Sequence, residues 1–306
     1  MSDTTHISIV IPTFRRPDDL ARLLASIHAD IGTREDVAII VADNDAAGSA
    51  REAVERFEAE TGRAVDYAVA PEPGVSNARN NAMARVNSRF VLFLDDDMEV
   101  VPPYLDTLLA TAGRLGTTIT FGASVAALPE ASQAWAPWLA PLFSRVFDGQ
   151  SRVVEDTLGT GGCLVDLQGI ALPSPVFDPA LNEVGGEDDA FFAHIVDQGG
   201  TVGWCAEAHA WEHVPPHRAT PSYLWKRHFA FGQTPSREAA DRSPIGVVAW
   251  MAVGAAQAAL HAPLYLAKRL LGRPSHIGHL GRLAQGVGKV FWWDGLSPRL
   301  YGRKAR

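Results

Sequence analysis

Residues 90–100 read FVLFLDDDMEV, an apolar run that ends directly in Asp95, Asp96 and Asp97. A short continuous apolar run of this kind is a buried strand. Three neighbouring carboxylates repel one another and raise each other's pKa unless a cation or a set of donors offsets the charge. The stretch therefore reads as the carboxyl end of a covered strand that expects a cationic partner. The same pattern continues outward. ISIVIP (7–12) reads as a strand, PDDLARLLASIHA (17–29) as a helix opened by proline, and VAIIVADN (37–44) as a second strand. A helix at about 49–60, a strand at 64–70, a helix at 75–86 and the strand at 89–94 follow. Apolar strands alternating with helices predict an α/β chain built on a parallel sheet with helices on both faces. Ligands of such sheets bind at the strands' carboxyl ends, where this chain carries PTFRR, ADND and DDDMEV.

The chain has 306 residues, of which 47% are hydrophobic and 20% charged, enough for one large α/β domain or two smaller ones. Its only cysteines, Cys163 and Cys205, form no C-x-x-C pair, so neither a disulfide framework nor a zinc site is indicated, and a reducing compartment is expected. The opening MSDTTHISIVIPTF lacks a basic region and a long apolar stretch, which makes the cytoplasm the expected location. The net charge of −8 is unevenly spread: residues 262–306 hold nine basic side chains against Asp294 alone, giving +8 there and −16 over residues 1–261. A basic tail with interleaved aromatics suits an anionic lipid surface, while no nucleic-acid module is visible.

Residues 124–156 are irregular and aromatic, with Trp135, Trp138, Phe143 and Phe147, and fit either a substrate-facing insertion or packing against the sheet. GTGGCLVDLQGI (159–170) reads as a glycine turn leading into a short strand, and GGEDDAFF (185–192) as a break at Gly185 and Gly186 followed by a helix starting on Glu187 and Asp188. Phe191, Phe192 and Ile195 form that helix's apolar stripe. The second acidic site offers a carboxylate for general-base work, and His213 in AWEHV is a candidate nitrogen ligand or a structural histidine. Residues 243–267 carry no charge over 25 positions, enough to cross a bilayer, yet they are rich in Ala and Gly and include Gln257, His261 and Pro263. An interfacial or partly buried helix ranks first there, with a core helix and a true span left open. The segment 275–295 reads as a last helix, with Trp292 and Trp293 near its end.

The motifs IVIPTFRRPDDLARLLASI, VADND, PGVSNARNNAMA, FVLFLDDDMEV and GGEDDAFF occur in order over residues 6–235 and resemble the inverting family 2 glycosyltransferases of the GT-A fold. The longer pattern, with VPPHRATPSYLWKRHFAFGQT and the tail HLGRLAQGVGKVFWW…YG, resembles the succinoglycan-type bacterial glucosyltransferases that extend lipid-linked repeat units of exopolysaccharide. The resemblance implies a Rossmann-like, mostly parallel sheet and a UDP-sugar donor. It implies that Pro12, Thr13 and Arg15 line the base and ribose pocket, that Asp43 accepts a hydrogen bond from the uracil ring, and that Arg79 lies near the diphosphate. Asp95 to Asp97 would be the DXD-like element, with Asp96 toward the ribose and Asp97 on a Mn²⁺ or Mg²⁺ ion, supported by Asp95. Asp188 would be the catalytic base and His213 a further metal ligand. The acceptor would be a glycan or a polyprenyl-linked sugar, and the chain would lie peripherally on the cytoplasmic face of the inner membrane.

These readings divide the chain into a transferase domain at 1–240, with its nucleotide part at about 1–123 and its acceptor part at about 124–240, and a helical extension at 241–306. The Q-x-x-R-W element of processive synthases is absent, so one sugar per encounter is the implied mode. Two alternatives stand: a sugar-1-phosphate nucleotidyltransferase, which would need a glycine-rich basic loop after the first strand where this chain has IPTFRR, and a non-catalytic sugar-nucleotide-binding subunit.

Overall fold

A computed structural model describes residues 6–182 and 185–298. Arg299, Arg303, Lys304 and Arg306, four of the basic tail residues, and the Tyr301-Gly302 pair of the tail motif lie outside the described residues. The chain divides into two compact units. Residues up to Val125 together with Ser144–His213 form the first, and Ala126–Phe143 together with the chain from Val214 onward form the second.

In the first unit, β1 (Ile7–Thr13), α1 (Pro17–Ile31), β2 (Val37–Asp43), α2 (Arg51–Thr61), β3 (Asp66–Val69), α3 (Val75–Met83) and β4 (Phe90–Phe93) alternate as the apolar runs require. β1 pairs in parallel with β2 and β4, and β2 with β3, which places Thr13 beside Asp43 at the carboxyl ends. The strands are predominantly apolar because both sheet faces are covered. Leu20, Leu23, Leu24 and Ile27 of α1 pack with Ile9, Ile11 and Val41 on one face, and Val10, Ile40 and Phe93 join Phe177, Phe191 and Phe192 on the other. Pro17 with Asp18 and Asp19 opens α1, since proline suits the first helical turn and acids there favour the helix dipole.

The parallel half is what the sequence predicts; the other half is antiparallel. After β5 (Met98–Val100), α4 (Leu105–Leu115) and β6 (Ile119–Ala127), the chain adds β7 (Arg152–Val154), β8 (Cys163–Asp166), α6 (Glu187–Asp197) and β9 (Val202–His213), with the short α5 (Ala136–Leu139) belonging to the second unit. The sheet order is β3-β2-β1-β4-β8-β6-β9-β5, with β7 beside β9. β8 pairs antiparallel with both β4 and β6, and β5 and β7 pair antiparallel with β9, so "mostly parallel" describes only the strands up to β4. The local sequence does not reveal this, because the strand beside β4 is β8, some seventy residues later in the chain, and β5 pairs with β9 instead of with β4.

α6 is held by its apolar stripe. Phe191 lies 4.7 Å from Phe177 and 5.9 Å from Phe93 between ring centroids, and Phe192 lies 5.2 Å from Phe121. Deleting a buried Phe ring costs about 3–5 kcal/mol, so this helix start is fixed from below. Gly186 enters the helix at φ +92°, a region that side chains rarely adopt.

The second unit contains α7 (Pro221–Ala240), α8 (Pro244–Leu270) and α9 (His276–Val290). Leu128 and Leu139 share a small core with Val214, Leu224 and Ile277. α8 and α9 approach closely where Gly254 faces Gly286; a Cβ on Gly254 would stand 2.6 Å from the Gly286 carbonyl oxygen. Small residues at such contacts are typical of helices that pack in apolar surroundings. α8 is long and apolar enough to cross a membrane by length and composition. Only Gly254 along it is buried, which sets the core-helix alternative aside. Val253, Leu260, Leu264 and Leu266 are exposed.

Candidate active site

β1 and β4 bring Thr13 and the acid triplet to one rim. The Thr13 hydroxyl donates to Asp96 Oδ2 at 2.8 Å, and Arg16 Nη1 donates to Asp96 Oδ1 at 3.0 Å and to Asp97 Oδ2 at 2.9 Å. Arg16 is thus a built-in counter-ion for two of the three acids, drawn in because the start of α1 directly follows β1. Burial pushes the Asp96 carboxyl up to about 7, against the opposing charge of Arg16 and with the help of Asp97. Burial and the neighbouring charge of Asp95 raise Asp97 as well.

Asp95 turns the other way. Its Oδ1 lies 3.4 Å from Arg79 Nη2, and Arg79 Nη1 donates to Glu187 Oε1 at 2.7 Å. Arg79 is buried, with its guanidinium 5.5 Å from the Phe177 ring centroid. Asp95 Oδ2 also lies 3.8 Å from Arg145 Nη2, and Arg145 Nη1 lies 2.9 Å from Glu212 Oε2. Burial pushes Glu212 up to about 7 even with Arg145 beside it. Asp188 is half-buried at the start of α6, and its Oδ1 accepts from the Asp189 N–H at 3.0 Å.

The glycine loop at 159–162 runs between these groups. A Cβ on Gly159 would stand 3.3 Å from Asp188 Oδ2, and one on Gly161 would overlap Asp95 Oδ2 and stand 2.6 Å from Arg145 Nη2. One loop therefore touches both acidic sites named by the sequence, and Arg79 joins Asp95 to the residue preceding Asp188.

Other predicted residues sit apart from this cluster. Pro12 pairs with Ala42 within the sheet. Arg15 adopts φ +56° and pairs with Asp45 at 3.1 Å. Asp43 is fully buried, and its oxygens accept from the N–H groups of Asp45 (3.0 Å) and Ala50 (2.8 Å) and from the Tyr67 hydroxyl (2.8 Å). What the structure shows for Asp43 is a hub that holds the turn after β2. His213 meets Asp97 through the backbone, its N–H donating to the Asp97 carbonyl at 2.8 Å, whereas its ring Nε2 lies 2.6 Å from Glu99 Oε2.

Arg16, Arg145 and Glu212 escape the sequence reading, and Glu187, noted only as a helix-start acid, proves to be the partner of Arg79. The one available signal was electrostatic: a carboxylate triplet needs counter-ions, and Arg16 stands at the adjacent strand end.

The cluster holds six carboxylates, Asp95, Asp96, Asp97, Glu187, Asp188 and Glu212, against the three guanidiniums of Arg16, Arg79 and Arg145. Among the described residues no three His, Cys, Asp or Glu side chains converge as a ready-made metal cage. Mg²⁺ and Mn²⁺ do not require one, since they take one or two carboxylates and complete their shell with water or phosphate oxygens. Hard oxygen donors in an excess of negative charge, as at Asp95 and Asp97, fit such an ion.

Residues 8–163 match the family described as Glycosyl transferase family 2. The chain belongs to that family. It is 34% identical over 249 residues to the succinoglycan biosynthesis protein ExoM of Rhizobium meliloti (strain 1021), covering 79% of this chain and 78% of that one. Over 118 residues it is 29% identical to the GalNAc(5)-diNAcBac-PP-undecaprenol beta-1,3-glucosyltransferase of Campylobacter jejuni, covering 38% of this chain and 37% of the other. Its fold is similar to that of S. aureus TarS, with a TM-score of 0.53 at 14% identity over 73% of this chain and 39% of TarS. This family 2 chain is a glycosyltransferase related to enzymes of exopolysaccharide and lipid-linked glycan synthesis; Asp95, Asp96 and Asp97 lie inside the matched region, and Glu187, Asp188 and Glu212 lie past its end.

Proposed function

We propose that the protein is an inverting, metal-dependent transferase that moves one hexose from a UDP-sugar to a lipid-linked or oligosaccharide acceptor in exopolysaccharide assembly. The observation that supports this most is the shared loop: Asp188 and Asp95 both stand against residues 159–161, close enough for a base and a leaving-group site to serve one substrate. An acceptor hydroxyl is a poor nucleophile, and Asp188 takes its proton as it attacks the anomeric carbon. The bond from that carbon to the diphosphate breaks in the same displacement, so a UDP-α-sugar yields a β-glycoside. Arg79, held by Glu187, orients Asp95 and faces the charge that develops on the leaving diphosphate. Asp97 with Asp95 would hold Mn²⁺ or Mg²⁺, which when bound supplies positive charge for that leaving group. Thr13 and Arg15 are assigned to the nucleoside side.

The exposed apolar face of α8, followed by Lys268, Arg269 and Arg273, is assigned to the cytoplasmic surface of an anionic membrane, where a lipid-linked acceptor resides.

The test is turnover of UDP-glucose, UDP-galactose and UDP-N-acetylglucosamine by the purified full chain, with membrane lipid extract as acceptor and with Mn²⁺ or EDTA. Release of UDP from one donor, dependent on Mn²⁺ and acceptor, is expected. Failure of every UDP-sugar to bind or react overturns the proposal.

A further inference from the structure

One cation of the site is seated by residues to which the reaction just described assigns no role. Arg145 lies between α5 and β7, and its backbone forms two hydrogen bonds with Ser124 of β6, its N–H donating at 2.8 Å and its carbonyl accepting at 3.1 Å. The Ser124 hydroxyl donates to Glu212 Oε2 at 3.3 Å, and the same oxygen lies 2.9 Å from Arg145 Nη1. Ser124 therefore fixes the arginine's backbone and also the carboxylate that aims its head group. Such a seat holds one long, flexible side chain in one geometry.

The seat does not use the guanidinium up. Of its five N–H donors, Nη1 makes the one short contact, to Glu212. Among the described residues, Nη2 has only the Gly161 carbonyl at 3.5 Å and Asp95 at 3.8 Å, and Nε has no partner. A quarter of the side chain remains open to solvent. Donors left unmet beside so enclosed a place are costly, and a ligand's oxygens reaching Nη2 would relieve part of that cost.

Position names the ligand. Arg145 Cδ lies 3.7 Å, and Asp188 Oδ2 3.3 Å, from the point where a Cβ on Gly159 would stand. Arg145 Nη2 and Asp95 Oδ2 flank the equivalent point on Gly161. Arg145 thus runs along the loop from the base toward the strand-end acids. If Asp188 activates the nucleophile and the diphosphate leaves on the strand-end side, the transferred sugar occupies that interval.

We propose that Arg145, seated by Glu212 and Ser124, contacts the hydroxyls of the transferred sugar and helps to choose it; this rests on the UDP-sugar reading above. Two measurements on the full chain separate sugar from diphosphate: the KM for the UDP-sugar, and the inhibition constant of UDP, which lacks the sugar. Arg145→Lys keeps a cation against Asp95 and Glu212 but loses the planar fork. It is expected to raise the KM about tenfold or more while the UDP constant stays within about twofold. Glu212→Gln, which loosens the seat, is expected to raise the KM by a smaller factor with the same UDP constant, and it carries the comparison if the lysine variant does not fold. Equal weakening of UDP and UDP-sugar overturns the inference, because the arginine would then be reading phosphate. An unchanged KM beside normal turnover of the unsubstituted chain overturns it too and leaves the transferase reading standing. No turnover or binding of any UDP-sugar by the unsubstituted chain overturns both.

Discussion

Arg79 and Glu187, 108 residues apart in sequence, are joined by a buried 2.7 Å ion pair. The same guanidinium reaches Asp95 at 3.4 Å, so one side chain of α3 ties the acid triplet after β4 to the start of α6. Breaking a buried pair on one side leaves an uncompensated charge. Glu187→Ala is expected to lower the unfolding free energy by about 2–4 kcal/mol in urea titrations, somewhat less than a full orphaned charge because Asp95 remains. A loss below about 0.5 kcal/mol would mean that the pair is structurally idle.

Asp188→Asn preserves shape while removing the proton acceptor. Turnover is expected to fall by about 10²–10⁴-fold with UDP affinity unchanged. Retained turnover would move the base elsewhere.

The glycine loop gives a graded prediction. Gly161→Ala would place a methyl on Asp95 and Arg145, whereas Gly159→Ala meets only ordinary-to-tight contact with Asp188 at 3.3 Å. Turnover should therefore fall by about tenfold or more in Gly161→Ala and clearly less in Gly159→Ala. The reverse order would contradict the placement of the loop.

Asp96 and Glu212 are both pushed up to about 7 by burial. Between about pH 4 and about pH 7 the folded chain then holds protons that the unfolded chain has released, so their contribution to stability is complete at the acid end and lost as pH rises through about 7. His228 and His279, lowered chiefly by burial, pull the other way at acid pH, so the informative quantity is the difference between the unsubstituted chain and Asp96→Asn. In EDTA that difference is expected to shift in favour of Asp96→Asn as pH rises from about 5.5 to about 7.5. Urea midpoints across that range check it, and a constant difference would show that Asp96 titrates normally.

On α8, Val253, Leu260 and Leu264 are exposed at helical spacing on one face. Replacing all three with Glu should abolish flotation with anionic vesicles and leave the melting temperature nearly unchanged, since none is buried. Flotation that survives the triple change would take the membrane contact away from this face.

The strands and helices up to β4 are legible in the sequence because burial on both faces makes the strands predominantly apolar, as in residues 9–12 of β1 and 37–42 of β2. The antiparallel half is not. β5 and β7 have three residues each, too few for any periodicity, and their partners are set by tertiary contact with β9. Within the site, adjacency along the chain reveals the triplet and the acids of α6. Arg145 and Glu212 meet across sequence distance, and nothing in their local sequence marks them. His213 shows the limit from the other side: its place next to Asp97 is real in the backbone, yet the ring turns to Glu99.

The polypeptide passes from one compact unit to the other three times, after Val125, Phe143 and His213. Leu128 and Leu139, carried on the excursion between the first two passages, bury themselves against Val214, Leu224 and Ile277, which come later in the chain. Until ribosomal synthesis has passed Val214 and Leu224 that excursion has no apolar surface to close on, and Ile277 completes the core only later. A gene shortened before Val214 would therefore leave Leu128 and Leu139 as a sticky apolar excursion without the core that covers them.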